Sequence, residues 1–250
     1  MKYDDYQLAI EWILESKFTV IFTGAGVSVE SGIPPFRGEN GLWKKYDPAF
    51  LMTSYFEKYP EKSWKLIKEI FYDFFRKAKP NNAHYVITEL ENKGLIDVII
   101  TQNIDNLHQR AGSSNVIEFH GTSRTLTCIN CFHNFDCEKF LNSIPPNCPK
   151  CGGLLKPDFV FFNEPIPPEV HNLSNKYALM SNLFILVGTT GEIIPASIIP
   201  YFAKEARARI IEINIKPTQY THKIVDIFLQ GKATVVFSRL RELLVNSGHV

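Results

Sequence analysis

Gln102, Asn103 and Asp105 place two carboxamides and a carboxylate within four positions of the stretch 101–108. They follow the apolar run 95–100, which reads as a buried strand of a parallel sheet. Open α/β sheets bind ligands just past the C-terminal ends of such strands. Directional hydrogen-bonding groups there can orient an amide or a hydroxyl. The plainer reading is a helix N-cap, with Asn103 or Asp105 accepting from amides of the next helix. His120 closes a second short strand, 116–119, beside Gly121. Alone, a histidine is more often structural than catalytic. At a strand end facing a cleft between domains, its imidazole can take up a proton near neutral pH.

Four of the five cysteines form two pairs, Cys128-x2-Cys131 and Cys148-x2-Cys151, separated by 16 residues. Two such pairs can wrap one tetrahedral zinc ion. Pro149 and the Gly152-Gly153 pair supply turn chemistry beside the second. A disulfide framework needs an oxidising compartment, to which nothing in the sequence points. Cys137 lies outside the pattern and reads as a small buried apolar residue. The segment from about 122 to 157 has little apolar periodicity, so the metal is expected to replace a hydrophobic core.

A third group of residues opens on Gly24-Ala25-Gly26, directly after the strand 18–22. Strand, glycine-rich turn and helix start form the dinucleotide-binding arrangement, with backbone amides facing a pyrophosphate. Val29 stands where the usual third glycine would be, which argues against an ordinary dehydrogenase site. Pro34-Pro35-Phe36-Arg37-Gly38 reads either as an exposed loop or as a mobile segment folding over a nucleotide. In the second case Phe36 meets an aromatic ring and Arg37 lies near phosphate.

The elements that must position these residues alternate. A first amphipathic helix is expected over 4–16, a helix over 60–78 opening at Pro60, and another from Asn81-Asn82 to about Gly94. Further strands are expected at 159–162, 183–187, 209–213 and 232–237, with a helix over 195–207. A second glycine–hydroxyl turn follows at 188–191. The alternation implies a parallel sheet with helices on both faces. At 250 residues, 45% hydrophobic and 21% charged, the chain is an ordinary globular protein able to bury a large core. Net charge +1 removes bulk attraction to nucleic acid. No apolar run reaches membrane-spanning length, and no secretory signal is seen, so the cytoplasm is the expected address.

Taken together these residues resemble the sirtuin family of NAD-dependent protein deacylases. The resemblance rests on GAGVSVESGIPPFRG at 24–38, TQNIDNLHQRAG at 101–112, His120-Gly121, the cysteine pairs, FVFFNE at 159–164, Gly188-Thr189-Thr190 and Asn214. It implies a Rossmann-like α/β domain (1–37, 80–121 and 165–250), a helical module (38–79) and a zinc module (122–164). NAD and an acetylated lysine would meet between them. By resemblance, Gly24, Ala25, Gly26, Phe36 and Arg37 would line the NAD site. Gln102, Asn103, Ile104 and Asp105 would hold the nicotinamide and its ribose. Gly188, Thr189, Thr190 and Asn214 would contact the adenosine half, and Lys232 is counted with the NAD-binding positions. His120 would be the general base, with Asn103 also catalytic. Val160, Phe161 and Phe162 would belong to the strand that pairs with the substrate peptide. Products would be free lysine, nicotinamide and O-acyl-ADP-ribose.

The sequence departs from the family pattern at Pro35, Asn163 and Gly191. The Tyr-x-x-Arg pair of members that favour acidic acyl groups is replaced by Ile67 and Ile70, so uncharged acyl groups are expected over succinyl. A monomer acting on acetylated-lysine proteins is the expected form. The competing expectations are a protein mono-ADP-ribosyltransferase and a non-catalytic zinc module that senses NAD.

Overall fold

The computed structural model describes residues 4–38 and 41–249. Among these described residues, nine strands run β1 (Thr19–Thr23), β2 (Val98–Thr101), β3 (Val116–Glu118), β4 (Gly121–Cys128), β5 (Asn134–Asp136), β6 (Leu155–Phe159), β7 (Leu183–Val187), β8 (Arg209–Asn214) and β9 (Ile227–Gln230). Six of them form one sheet, in the order β3-β2-β1-β7-β8-β9, and every pairing in it is parallel. The order reverses between β1 and β7, so the crevice past the ends of those two strands is where a ligand is expected.

The central strands are buried on both faces, and their side chains divide by the two-residue period of a strand. Ile21, Ile99, Ile185 and Ile211 join helices Asp5–Glu15, Asn82–Asn92 and Ala233–Asn246 in one core. Val20, Phe22, Phe184 and Leu186 join helices Pro168–Met180 and Ile199–Glu205 in another. A doubly wound α/β architecture follows, as the alternating pattern implies.

β5, β4 and β6 form a separate antiparallel sheet. It shares a third core with the helical segment 42–77, in which Trp64, Phe71, Leu126, Leu155 and Phe161 are buried. The metal therefore supplements a hydrophobic core instead of replacing one, contrary to the expectation from weak periodicity. The periodicity was weak because these apolar residues pack against helices distant in sequence.

Several expected elements differ. The strand at 159–162 lies earlier, at Leu155–Phe159, where it pairs with β4. The 60–78 helix is regular only over Pro60–Ile67, then widens into π-type turns over Lys68–Phe74 and tightens over Phe75–Lys77. The residues at 232–237 are not a strand. Lys232 precedes the helix Ala233–Asn246, whose buried Val236, Phe237 and Leu240 follow helical spacing. The run Ala233-Thr234-Val235-Val236-Phe237 has high strand propensity, and tertiary packing overrides it. Among the described residues no helix is long and apolar enough to cross a membrane.

Candidate active site

Two glycine turns meet at the point where the strand order reverses. Gly24 N–H donates to the Val187 carbonyl at 2.9 Å, and Gly26 N–H donates to the Gly188 carbonyl at 2.9 Å. These two amides are spent on the neighbouring strand end, so they do not face a pyrophosphate as the motif suggested. Their glycine identity has a packing cause. A Cβ at Gly26 would lie 2.5 Å from Gly188 Cα, and Gly188 has a φ of +59°. The following turns, Ala25–Ser31, are a short 3-10 helix.

The β2 end carries the polar cluster. Asn103 Nδ2 donates to the Gly24 carbonyl and to Ser28 Oγ, both at 3.2 Å. Its Oδ1 receives no hydrogen bond from the described residues. Ser28 Oγ donates to Asp105 Oδ2 at 2.7 Å, and Leu107 N–H donates to Asp105 Oδ1 at 2.9 Å. Asp105 thus accepts from the first amide of the helix Leu107–Ala111, although the N-cap position itself is Asn106, whose side chain makes no capping bond, and the same carboxylate also lines a pocket. Burial pushes its carboxyl above the usual range, opposed by the bonds from Leu107 and Ser28.

Behind this cluster lie two buried histidines. Asn81, the N-cap of the helix Asn82–Asn92, donates its N–H to His84 Nδ1 at 3.3 Å. That leaves Nε2–H to point at Ser28 Oγ, 3.5 Å away. His108 Nε2 lies 3.1 Å from Thr23 Oγ1, and the two imidazoles pack with centroids 4.9 Å apart. Burial lowers His84 to about 2, with His108 adding to the effect, and lowers His108 to about 4. Both are neutral at physiological pH. Sequence reasoning gave Ser28, His84 and His108 no role. The available signal was the spacing of Asn81 and His84, which is a capping-box pattern.

His120 stands beside the cluster. Its Nδ1 is 2.9 Å from the Gln102 carbonyl oxygen, so Nδ1–H donates and Nε2 keeps its lone pair. Burial lowers its pKa, partly offset by that bond. Gln102 Nε2 in turn donates to Thr189 Oγ1 at 3.0 Å, and Asn214 Nδ2 donates to the Thr189 carbonyl at 2.9 Å. Residues from the ends of β2, β3, β7 and β8 are thus tied together. Thr190 is exposed beside them. Lys232 reaches Glu30 at 3.8 Å from a largely exposed position.

A narrow pocket of about 10 Å³, lined by Ala25, Ile33, Phe36, Phe75, Asn103, Ile104 and Asp105, opens in front of this cluster. That is room for about one water. Phe36 packs on Trp43 and Phe75, with centroids 5.4 and 6.4 Å away. Arg37 faces Glu192 at 3.8 Å.

The expected peptide strand is only partly as anticipated. Val160 N–H donates to the His120 carbonyl, Phe162 N–H to the Leu51 carbonyl and Phe161 N–H to Glu164 Oε2. Three amides are therefore already bonded within the chain, and the Phe161 side chain is core. Val160 is half-buried and Phe162 exposed. Lys156 fixes the segment from beneath, donating to the Phe159 carbonyl at 3.1 Å and pairing with Glu164 at 3.0 Å. Ile67 and Ile70 are also buried in the core; Phe75, not they, reaches the pocket wall.

Cys128, Cys131, Cys148 and Cys151 bring their sulfurs within 4.8 Å of one another. The Cys128–Cys151 and Cys131–Cys148 separations are 3.5 and 3.6 Å. Tetrahedral Zn–S bonds of about 2.3 Å imply sulfurs roughly 3.8 Å apart, so the cluster fits one zinc ion. Asn130 and Lys150 amides donate to Cys128 and Cys148 sulfurs, which stabilises thiolates. Four sulfur ligands leave no open position, so the ion is structural.

A Rossmann-type sheet whose switch point carries a polar ligand pocket, with a thiolate-cluster module attached, defines a nucleotide-binding protein with a structural metal. Residues 24–195 match the Sir2 family model, and the chain belongs to that family. An NAD-dependent protein deacylase of Pyrobaculum aerophilum is 44% identical over 92% of each chain. A Sir2 homologue solved with NAD superposes with a TM-score of 0.89 at 40% identity, covering 96% of this chain and 94% of that one. A Sir2 variant solved with a deacetylated p53 peptide and 3'-O-acetyl-ADP-ribose gives 0.89 at 32% identity over 98% of both.

Proposed function

We propose that this chain is an NAD-dependent protein lysine deacylase that moves the acyl group to ADP-ribose and releases nicotinamide. The observation that carries the reading is the fixed contact between His120 and the backbone of Gln102, which holds a neutral imidazole at the end of β3, next to the end of β2 from which Asn103 and Asp105 follow. When bound, NAD supplies an electrophilic ribose carbon as its nicotinamide leaves.

The chain's own residues then have these roles. Asp105, held by Ser28 and Leu107, offers its carboxylate to the nicotinamide amide. Asn103 Oδ1 orients a ribose hydroxyl. His120 Nε2 accepts a proton from that hydroxyl as it attacks the acyl carbon. Phe36 and Ile33 exclude water, which would otherwise capture the ribose. Ala25 and Arg37, with Gly188, Thr189, Thr190 and Asn214, take the remainder of NAD. Glycines 24 and 26 act by letting the two turns touch, and Lys232 stands at the rim. Val160 and Phe162 flank the acyl-lysine. The division into 1–37, 80–121 and 165–250 as one domain, with 38–79 and 122–164 as modules of a second, is supported by the core that the two modules share, distinct from the two cores on the sheet's faces, with Ile33, Ile104 and Leu107 reaching into it from the first domain.

A cytoplasmic monomer acting on acetylated proteins is the form we propose, since four unpaired metal-binding thiols suit a reducing compartment. The apolar surroundings of Phe36 and Phe75 favour uncharged acyl groups. Turnover of acetyl- and succinyl-lysine peptides with NAD tests the reading: acetyl-lysine is expected to be consumed with one nicotinamide released per lysine freed. Nicotinamide release without lysine product would favour ADP-ribosyl transfer, and a succinyl preference would overturn the acyl assignment.

A further inference from the structure

A regular strand turns every second side chain inward, and β4 does not. Leu126 and Cys128 are buried, but the next step back, Arg124, is exposed, and Ser123 is buried in its place at 8% exposure. The cause is a register shift in the β4–β6 ladder between Gly121 and Leu126. A slip of one residue exchanges the two faces of a strand, so the first half of β4 turns a hydroxyl inward and a guanidinium outward.

The inward hydroxyl meets the polar cluster. Ser123 Oγ donates to the Ile104 carbonyl at 2.8 Å. Asn106 Nδ2 donates to Ser123 Oγ at 3.0 Å, and Thr122 Oγ1 donates to Asn106 Oδ1 at 3.1 Å. Ile104 is buried, and among the described residues no backbone N–H donates to its carbonyl. That oxygen lies in the planar peptide joining Ile104 to Asp105, so holding it also fixes the direction of the Asp105 N–H. The Asp105 carboxylate is held from the other side by Ser28. The two residues that line the narrow pocket are thus gripped by the zinc module through Ser123 and by the large domain through Ser28.

We propose that Ser123 is a positioning residue for the nicotinamide end of the site, acting through the Ile104 carbonyl. The role rests on the deacylase reading, in which Ile104 and Asp105 hold the nicotinamide. Without the hydroxyl, a buried carbonyl loses its donor and the Ile104–Asp105 peptide is free to turn. The adenosine end is tied separately, through Gln102 and Asn214 to Thr189, and should not feel the change.

The test uses the zinc-loaded full chain. Inhibition of acetyl-lysine peptide turnover by added nicotinamide reads one end of the site, and calorimetric binding of ADP-ribose reads the other. Ser123→Ala is expected to weaken nicotinamide inhibition by about fivefold or more, with ADP-ribose binding within about twofold of the unaltered chain. Ser123→Thr keeps the hydroxyl, and its methyl has room because Ser123 borders an open groove; it is expected to restore inhibition. Asn106→Gly keeps the φ of +61° without strain and removes the side chain that orients Ser123. It is expected to weaken inhibition by about twofold or more, and it carries the test should Ser123→Ala not fold. Unchanged inhibition in the variants, ADP-ribose binding that weakens in step with it, or no recovery in Ser123→Thr would overturn the positioning role alone. An unaltered chain that releases no nicotinamide from NAD would overturn the deacylase reading and this role together.

Discussion

His120 Nδ1 sits 2.9 Å from the carbonyl oxygen of Gln102, the first residue of the polar cluster beyond β2. The bond fixes which nitrogen is protonated and leaves Nε2 as the base. Burial lowers the pKa of this imidazole below its ordinary 6.5. The neutral, active form therefore persists into mildly acid solution. The acid limb of kcat/KM for deacylation is expected to have its midpoint below 6.5, and His120→Ala to lose about 10²- to 10⁴-fold. A midpoint above 6.5, or an active alanine variant, would contradict the assignment of the base.

The neutral histidines behind the site link stability to pH. His84 and His108 are lowered to about 2 and about 4, so in acid the unfolded chain binds protons that the folded chain refuses. Their contribution is complete above pH 6.5. It falls on acidification by about 1.4 kcal/mol per pH unit for each, until the folded pKa is reached. Asp105, raised by burial, has the opposite sign: its neutral form favours folding in acid, and that contribution is lost as pH rises through its folded pKa. Because the histidine window opens first, the unfolding temperature should drop between pH 7 and pH 5. A flat profile there would show that the two imidazoles are not held neutral.

The contact of the two glycine turns tolerates no side chain. Gly26→Ala puts a methyl 2.5 Å from Gly188 Cα, where both partners are backbone. A loss of about 2 kcal/mol or more is expected in chemical denaturation. Gly32→Ala is the control: its φ is +91° but its surroundings are open, so a loss of about 1 kcal/mol is expected from backbone strain alone. Equal losses at the two positions would refute the packing argument.

The thiolate cluster should hold one zinc per chain. Cys148→Ala, which removes a buried ligand, is expected to lose the metal and loosen the three-stranded sheet, while the six-stranded sheet keeps its fold. Metal analysis and amide exchange measure both. Retention of zinc with unchanged protection of residues 121–159 would remove the metal from the account.

How much of this was legible in the sequence depended on the range of the interactions involved. Local signals worked: the Asn81 cap, the cysteine spacing and the buried β1, β2 and β7 runs all appear in place. The polar cluster was visible because its members are contiguous, and His120 because it follows a strand. Ser28 and His84 were not, since their roles arise only when residues 56 apart in sequence are brought together. The strand expected at 232–237 failed because β-branched residues were used to cover a sheet from a helix.

The central claim is that one cleft splits NAD in order to capture an acyl oxygen. Its most direct measurement is a single reaction of the zinc-loaded chain with NAD and an acetyl-lysine peptide, in which nicotinamide, freed lysine and O-acetyl-ADP-ribose are quantified together. The account predicts that the three appear in equal amounts, and that His120→Ala and Asn103→Ala suppress freed lysine and O-acetyl-ADP-ribose. Lysine freed without NAD consumption, or equal activity in both variants, would contradict it.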